Sequence, residues 1–215
     1  MAQDSANDSC PFEVIILAGG SSKRIQNTYK PLLKLENKPL IRWIVDRLSE
    51  LSCKPIIVVH NESQKATLSN LVPDVRIIVD EIEIASPLIG ALSGARVANS
   101  RIIFLMAVDQ PFLSAEIISK IVNLCKDVEA CIPRWPNGFI EPLAAAYDRK
   151  AFIRAAEASL DRNDLSLRST LKMLKARFVD TYTLHPNPRL IFHNINTIDD
   201  YLKARNFLKM LHQRL

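Results

Sequence analysis

Apolar and polar positions alternate along this chain in two rhythms. Short apolar runs bounded by glycine, proline or polar residues occur at 14–20 (VIILAGG), 55–60 (PIIVVH), 75–80 (VRIIVD) and 101–109 (RIIFLMAVD). Each reads as a buried strand. Between and after them, residues 39–51, 61–72, 86–99 and 113–127 carry helical patterns, the last an amphipathic helix with Ser114 placed as its N-cap. Beyond residue 128 the pattern predicts strands over 129–135 and 140–148, joined by a Pro136-Asn137-Gly138 turn. Helices over 149–159 and 166–176 follow, then short strands over 178–184 and 191–196, then a closing basic helix from residue 198. No internal repeat or low-complexity linker interrupts the order. Strands separated by helices imply right-handed crossovers and a parallel sheet, which the later hairpin makes mixed. The expectation is an α/β chain with a mostly parallel mixed sheet flanked by helices. It comprises one domain over 13–215 and a loose tail over 1–12.

Composition narrows the classes. With 48% hydrophobic and 24% charged residues the chain has an ordinary globular balance, which excludes global disorder. The apolar runs are too short to cross a bilayer, and the polar, acidic start lacks the features of a signal peptide. A soluble cytoplasmic protein is expected. The formal net charge is +5, but the cations are scattered and aromatics make up only 7%, which favours a solvated basic surface over a nucleic-acid groove. Such a charge also suits a phosphate-rich small substrate. Cys10, Cys53, Cys125 and Cys131 form no CxxC pair, and His60, His185, His193 and His212 form no metal-binding motif.

In α/β sheets ligands bind beyond the carboxyl ends of the strands. That rule points to Ala18-Gly19-Gly20, Val79-Asp80 and Val108-Asp109. The chain has only five glycines, and two of them stand together after the first strand. There they let a backbone approach a ligand closely and leave N–H groups free for an anion or a base edge. The loop that follows carries Ser21, Lys23, Arg24 and Lys30, without the spacing of a Walker or a dinucleotide motif. A tight turn with exposed cations is the plain alternative. Asp80 and Asp109 end buried strands on one predicted edge, where a carboxylate is costly unless it holds a metal, a hydroxyl or a cation. Each could instead cap the helix that follows. For Asp80 the two readings stand level, and for Asp109 the metal is favoured, Mg²⁺ being the hard cation that such a site selects.

LAGGSSKRIQNTYKPLLKLENKPLI (17–41) resembles the nucleotide-binding signature of the molybdenum cofactor guanylyltransferases, a branch of the nucleotidyltransferase superfamily. VDEIEIASPLIGALSG (79–94), AVDQPFL (107–113), EPLAAAYDR (141–149) and FHNINTIDDY (192–201) are similar to its later segments, in the same order. The resemblance implies a Rossmann-like nucleotidyltransferase fold. It also implies that Leu17, Ala18 and Gly19 contact a guanine base, with Gly20 and Ser21 in the same nucleotide-binding loop. Lys30 would meet the triphosphate with Arg24 beside it, Asp80 would reach the nucleoside, and Asp109 would bind Mg²⁺. Arg24, Lys30 and Asp109 would carry the catalysis, and Glu141, Asn194 and Asn196 would line the acceptor side. The implied reaction moves GMP from GTP to phosphorylated molybdopterin in its Mo form, releasing pyrophosphate. Ile25, Gln26, Tyr29, Ser86 and His60 depart from the family pattern, and they bear on base choice and acceptor identity. The alternatives are an adenosylcobinamide-phosphate guanylyltransferase, a CTP-dependent cofactor transferase of the same fold, and a regulatory nucleotide-binding domain without catalysis.

Overall fold

The computed structural model describes residues 11–22, 28–51, 55–82, 84 and 86–212. A seven-stranded sheet forms the centre. In chain order its strands are β1 (Phe12–Leu17), β2 (Ile56–Val59), β3 (Arg76–Val79), β4 (Ile102–Ala107), β5 (Ala130–Arg134), β6 (Ala144–Asp148) and β7 (Ala176–Asp180). In space they run β3-β2-β1-β4-β6-β5-β7. All pairings are parallel except those of β6, which lies antiparallel to both β4 and β5. The sheet is therefore mostly parallel and mixed, as the alternation of elements implied.

Helices cover both faces, so the strands alternate between two cores. Val14 and Ile16 of β1 and Phe104 and Met106 of β4 face α1 (Leu40–Leu48) and α4 (Ala115–Asn123). Ile15, Val58, Ile103 and Leu105 face α3 (Pro87–Val97) and α5 (Arg149–Leu160). The shorter α2 (Glu62–Ser69) connects β2 to β3. Gly94 lets α3 lie close on the sheet: a Cβ there would sit 2.5 Å from Ile15 Cγ2 and 3.1 Å from Val58 Cγ2. Ser114 is the N-cap of α4 as expected, its hydroxyl accepting from the Ile117 N–H at 3.3 Å.

The carboxyl half differs from the expectation in identifiable places. The first strand begins at Phe12, which is buried and pairs with Ile102; of the expected tail, residues 1–10 lie outside the described residues. The strand expected over 140–148 starts only at Ala144, because Pro142 has no N–H for a ladder, and Ile140 makes a single bridge to Arg134. The helix expected over 166–176 is the short α6 (Leu167–Leu171), since Lys175 bonds to Glu129 and leads the chain into β7. The strand expected over 178–184 stops at Asp180, whose carboxylate accepts from the Tyr182 N–H and caps α7 (Thr181–Leu184). No strand forms over 191–196. Pro188 opens the one-turn α8 (Pro188–Ile191), and the apolar positions after it are buried without a ladder. Ile195 instead packs with Leu35, Leu40 and Phe112, and with Ala204 and Leu208 of the closing helix α9 (Ile198–His212), in a third small core.

From β1 the chain moves outward to β2 and β3, then returns to β4 on the other side of β1. The carboxyl ends of β1 and β4 therefore flank the topological switch point, where open α/β sheets bind ligands. No helix among the described residues is long and apolar enough to cross a membrane.

Candidate active site

A cleft of about 270 Å³ opens at that switch point. Leu17, Gly19 and Gly20 line it from the end of β1, His60 from the end of β2 and Asp80 from the end of β3. Ala107, Val108 and Asp109 line it from the end of β4. The β1 and β4 ends are tied together, the Val108 N–H donating to the Leu17 carbonyl at 3.1 Å. Ser86, Pro87 and Gly90 close one side from the start of α3. At Gly90 an added Cβ would lie 3.3 Å from Asp80 Oδ1, so the glycine lets the helix approach the carboxylate closely.

Lys30 reaches the cleft from a tight 3-10 turn, Lys30–Leu32, whose Pro31 is buried. Two-residue ribbons border that turn on either side, Ser21–Ser22 with Thr28–Tyr29 and Lys34–Leu35 with Lys38–Pro39. The ammonium donates to Asp109 Oδ2 at 2.6 Å and to Asn196 Oδ1 at 2.7 Å. An ammonium has three N–H donors, so one remains for a ligand oxygen. Asn196 is held in turn by a capping arrangement at the start of α9. Asp200 Oδ2 accepts from the Asn196 N–H, the Thr197 N–H and the Thr197 hydroxyl at 2.9–3.2 Å. Burial alone would raise the Asp200 pKa; the bonds from Thr197 and Asn196 outweigh it and hold it below the usual carboxylate range. The Ile195 N–H donates to the Asp109 carbonyl at 2.9 Å, which brings the 192–197 segment to the β4 end.

Neither strand-end aspartate caps the following helix: Ser86 caps α3 and Ser114 caps α4. The Asp109 side chain is mostly buried, one oxygen on Lys30 and the other, Oδ1, without a hydrogen-bond partner among the described residues. Asp80 is likewise buried with Oδ1 unpartnered, and Oδ2 lies 3.6 Å from His60 Nδ1, too long for a hydrogen bond. Burial pushes its pKa up, against the opposing influence of His60. A desolvated carboxylate at the end of a ligand-sized cleft is a group that awaits a donor.

Ala18 is fully buried under the α1 face, its N–H donating to the Val58 carbonyl. Ser21 is in the first ribbon, and Arg24 lies outside the described residues. Glu141 is buried beside the site rather than in it, accepting from Trp135 Nε1 at 2.7 Å. Burial raises its pKa, with Trp135 opposing and Asp109 adding to the rise. Asn194 turns back on its own loop, donating to the Phe192 carbonyl at 3.1 Å. The geometry thus brings together Lys30, Asp109 and Asn196, and separately His60 and Asp80, while Glu141 and Asn194 stand outside both groups.

Two residues were missed from the sequence. Trp135 supports Glu141, and its signal was a large indole whose N–H needs a partner when enclosed. Gln64 bridges the ends of β1 and β2, bonding to the Gly19 carbonyl and the His60 N–H. Its signal was the spacing Asn61-x-x-Gln64, a capping-box pattern at the start of α2.

The site can take a divalent cation. Asp109 lines the cleft, its Oδ1 a buried hard oxygen without a hydrogen-bond partner among the described residues, and no group of three His, Cys, Asp or Glu side chains that could hold a metal exists among them. That donor set fits Mg²⁺, which commonly takes one or two carboxylates and fills its shell with phosphate oxygens and water.

Comparison with known proteins gives the family. Residues 14–178 match the family model described as the MobA-like NTP transferase domain. The chain belongs to the MobA-like NTP transferase family. A relative from Methanosarcina mazei, named a probable molybdenum cofactor guanylyltransferase, is 32% identical over 194 residues, covering 86% of each chain. One of the same name from Thermococcus gammatolerans is also 32% identical, covering 86% of this chain and 94% of its own. The crystal structure of molybdopterin-guanine dinucleotide biosynthesis protein A from Archaeoglobus fulgidus superposes with a TM-score of 0.81. That match covers 92% of this transferase and 99% of the other chain at 24% identity, and it shows the shared fold. This MobA-like transferase is a nucleotidyltransferase, built on the mostly parallel mixed sheet of its family.

Proposed function

We propose that this transferase moves GMP from GTP to phosphorylated molybdopterin in its Mo form, giving molybdopterin guanine dinucleotide and pyrophosphate in the cytoplasm. The observation that carries the reading is the convergence of Lys30, Asp109 and Asn196 at a cleft edged by Gly19-Gly20. The names of the relatives, molybdenum cofactor guanylyltransferase, support the donor and the acceptor.

The chemistry suits these residues. The acceptor is already a phosphate anion, so no side chain has to remove a proton from it. Its oxygen attacks the α-phosphorus of the nucleotide, the bond to the β-phosphate bridging oxygen breaks, and that oxygen leaves with pyrophosphate. The protein's work is to bring two anions together and to offset the charge that gathers on the leaving group. Lys30, fixed by two acceptors, offers its third N–H to a phosphate oxygen. Asp109 would hold Mg²⁺, which when bound neutralises phosphate charge alongside the lysine. Asp80, which lines the cleft, would receive donors from the nucleoside, and the family resemblance gives Arg24 the part of a second cation for the phosphates.

The test is pyrophosphate release in the presence of Mg²⁺, GTP and Mo-molybdopterin. The expected result is release that requires both substrates, with the dinucleotide as product. Equal release with CTP in place of GTP, or release with cobinamide phosphate and none with the pterin, would overturn the assignment.

A further inference from the structure

Gln64, on the first turns of α2, spends its side chain on two different strand ends. Its Oε1 accepts from the His60 N–H at 2.8 Å, and its Nε2 donates to the Gly19 carbonyl at 3.3 Å. Helix capping does not explain this, because Asn61 already caps α2 by accepting from the Gln64 N–H at 2.9 Å. In an ordinary capping box the side chain at Gln64 would reach the N–H of Asn61; here it reaches one residue further back and across to the neighbouring strand's loop.

The bridge spans a junction without slack. A Cβ on Gly19 would lie 3.1 Å from the His60 nitrogen and 3.2 Å from its Cβ, so the glycine loop runs against the end of β2 with no side chain between them. Two successive glycines give that loop more conformational freedom than any other dipeptide, and little in their own chemistry chooses among peptide orientations. A trans peptide carries its C=O and N–H on opposite edges of one plane. A donor that grips the Gly19 carbonyl therefore also aims the Gly20 N–H, directing it away from Gln64. Gly19, Gly20 and His60 all line the cleft, whereas Gln64 does not.

We propose that Gln64 is a positioning residue for nucleotide binding: it orients the Gly19-Gly20 peptide toward the nucleotide and sets the height of His60 beside Asp80. The binding consequence rests on the nucleotidyl-transfer reading above; the clamp itself does not. Both ends of the amide are needed. An acceptor alone keeps His60 in place but leaves the glycine peptide free to turn.

Two variants separate the ends. Gln64→Glu keeps an acceptor for the His60 N–H and replaces the donor to Gly19 with a carboxylate oxygen. Gln64→Met removes both bonds at similar length. Amide spectra and hydrogen exchange on the nucleotide-free protein read the clamp directly. The Gly20 cross-peak should move in both variants, while exchange of the His60 amide should quicken about tenfold in Gln64→Met and stay near wild type in Gln64→Glu. In steady-state kinetics both variants should raise the KM for GTP about tenfold and leave kcat within about twofold. A packing role alone would lower thermal stability in Gln64→Met and leave the KM of Gln64→Glu unchanged. An unmoved Gly20 signal, or a normal KM in a folded Gln64→Glu protein, would overturn the proposal. If the wild type binds no nucleotide, the transfer reading fails, and the amide signature alone decides whether the clamp exists.

Discussion

Lys30 and Asp80 represent opposite uses of a buried charge. Lys30 is paired at 2.6 Å with Asp109 and bonded to Asn196, so its ammonium is held in place before any ligand arrives. Loss of one charge-assisted contact of this kind removes roughly 2–4 kcal/mol of transition-state stabilisation, about 30- to 1,000-fold in rate. Lys30→Ala should lower kcat/KM within that range while the circular dichroism spectrum stays native; a near-normal rate would remove Lys30 from the mechanism. Asp80 has no hydrogen-bond partner at Oδ1 among the described residues, and its pKa is raised by burial. A carboxyl whose folded pKa exceeds its unfolded value burdens the fold when ionised, above the folded pKa, and ceases to do so as pH falls to about 4. Asp80→Asn should therefore melt at a higher temperature than wild type at pH 7.5, with the gap closing toward pH 4, and should bind nucleotide more weakly. A lower melting temperature at pH 7.5, measured by scanning calorimetry across that pH range, would contradict this account of Asp80.

At the scale of elements, legibility followed how local the signal was. The apolar runs of β2 and β4 could be read directly, because a parallel strand buried on both faces has no polar alternation to confuse it. Ile191 and Ile195 fall on one face of a period-two pattern, the spacing of a strand, yet one packs under the main sheet and the other joins the small core beneath α9. Spacing records burial; it does not say whether a ladder partner is present. The aspartates at the ends of β3 and β4 followed from the strand-end rule, since parallel strands put their carboxyl ends on one edge. Asn196 meets Lys30 from 166 residues away, and no local pattern carries that information; only the resemblance to a family pointed to it. Gly94 is an element-scale constraint of the same hidden kind, because the atoms that forbid its Cβ lie on β1 and β2. Gly94→Ala should cost about 1–3 kcal/mol as α3 is pushed off the sheet. For a chain of this size the melting temperature should fall by roughly 2–12 °C. An unchanged melting temperature would show that Ile15 can turn aside at no cost.

Across the whole molecule, three segments far apart in sequence meet at one switch point: the glycine loop after β1, the β4 end and the loop before α9. The first two are anchored by the cores on the two faces of the sheet, to which β1 and β4 both contribute, and the third by Ile195, Phe112 and α9. On the proposed function, this junction binds GTP with a divalent cation at Asp109. Calorimetric titration of GTP, CTP, ATP and UTP with Mg²⁺, into wild type and Asp109→Ala, tests it most directly. The expected result is binding with preference for GTP, dependent on Mg²⁺ and lost or greatly weakened in Asp109→Ala. Binding of no nucleotide under any condition, or GTP binding equally strong without Asp109, would contradict it.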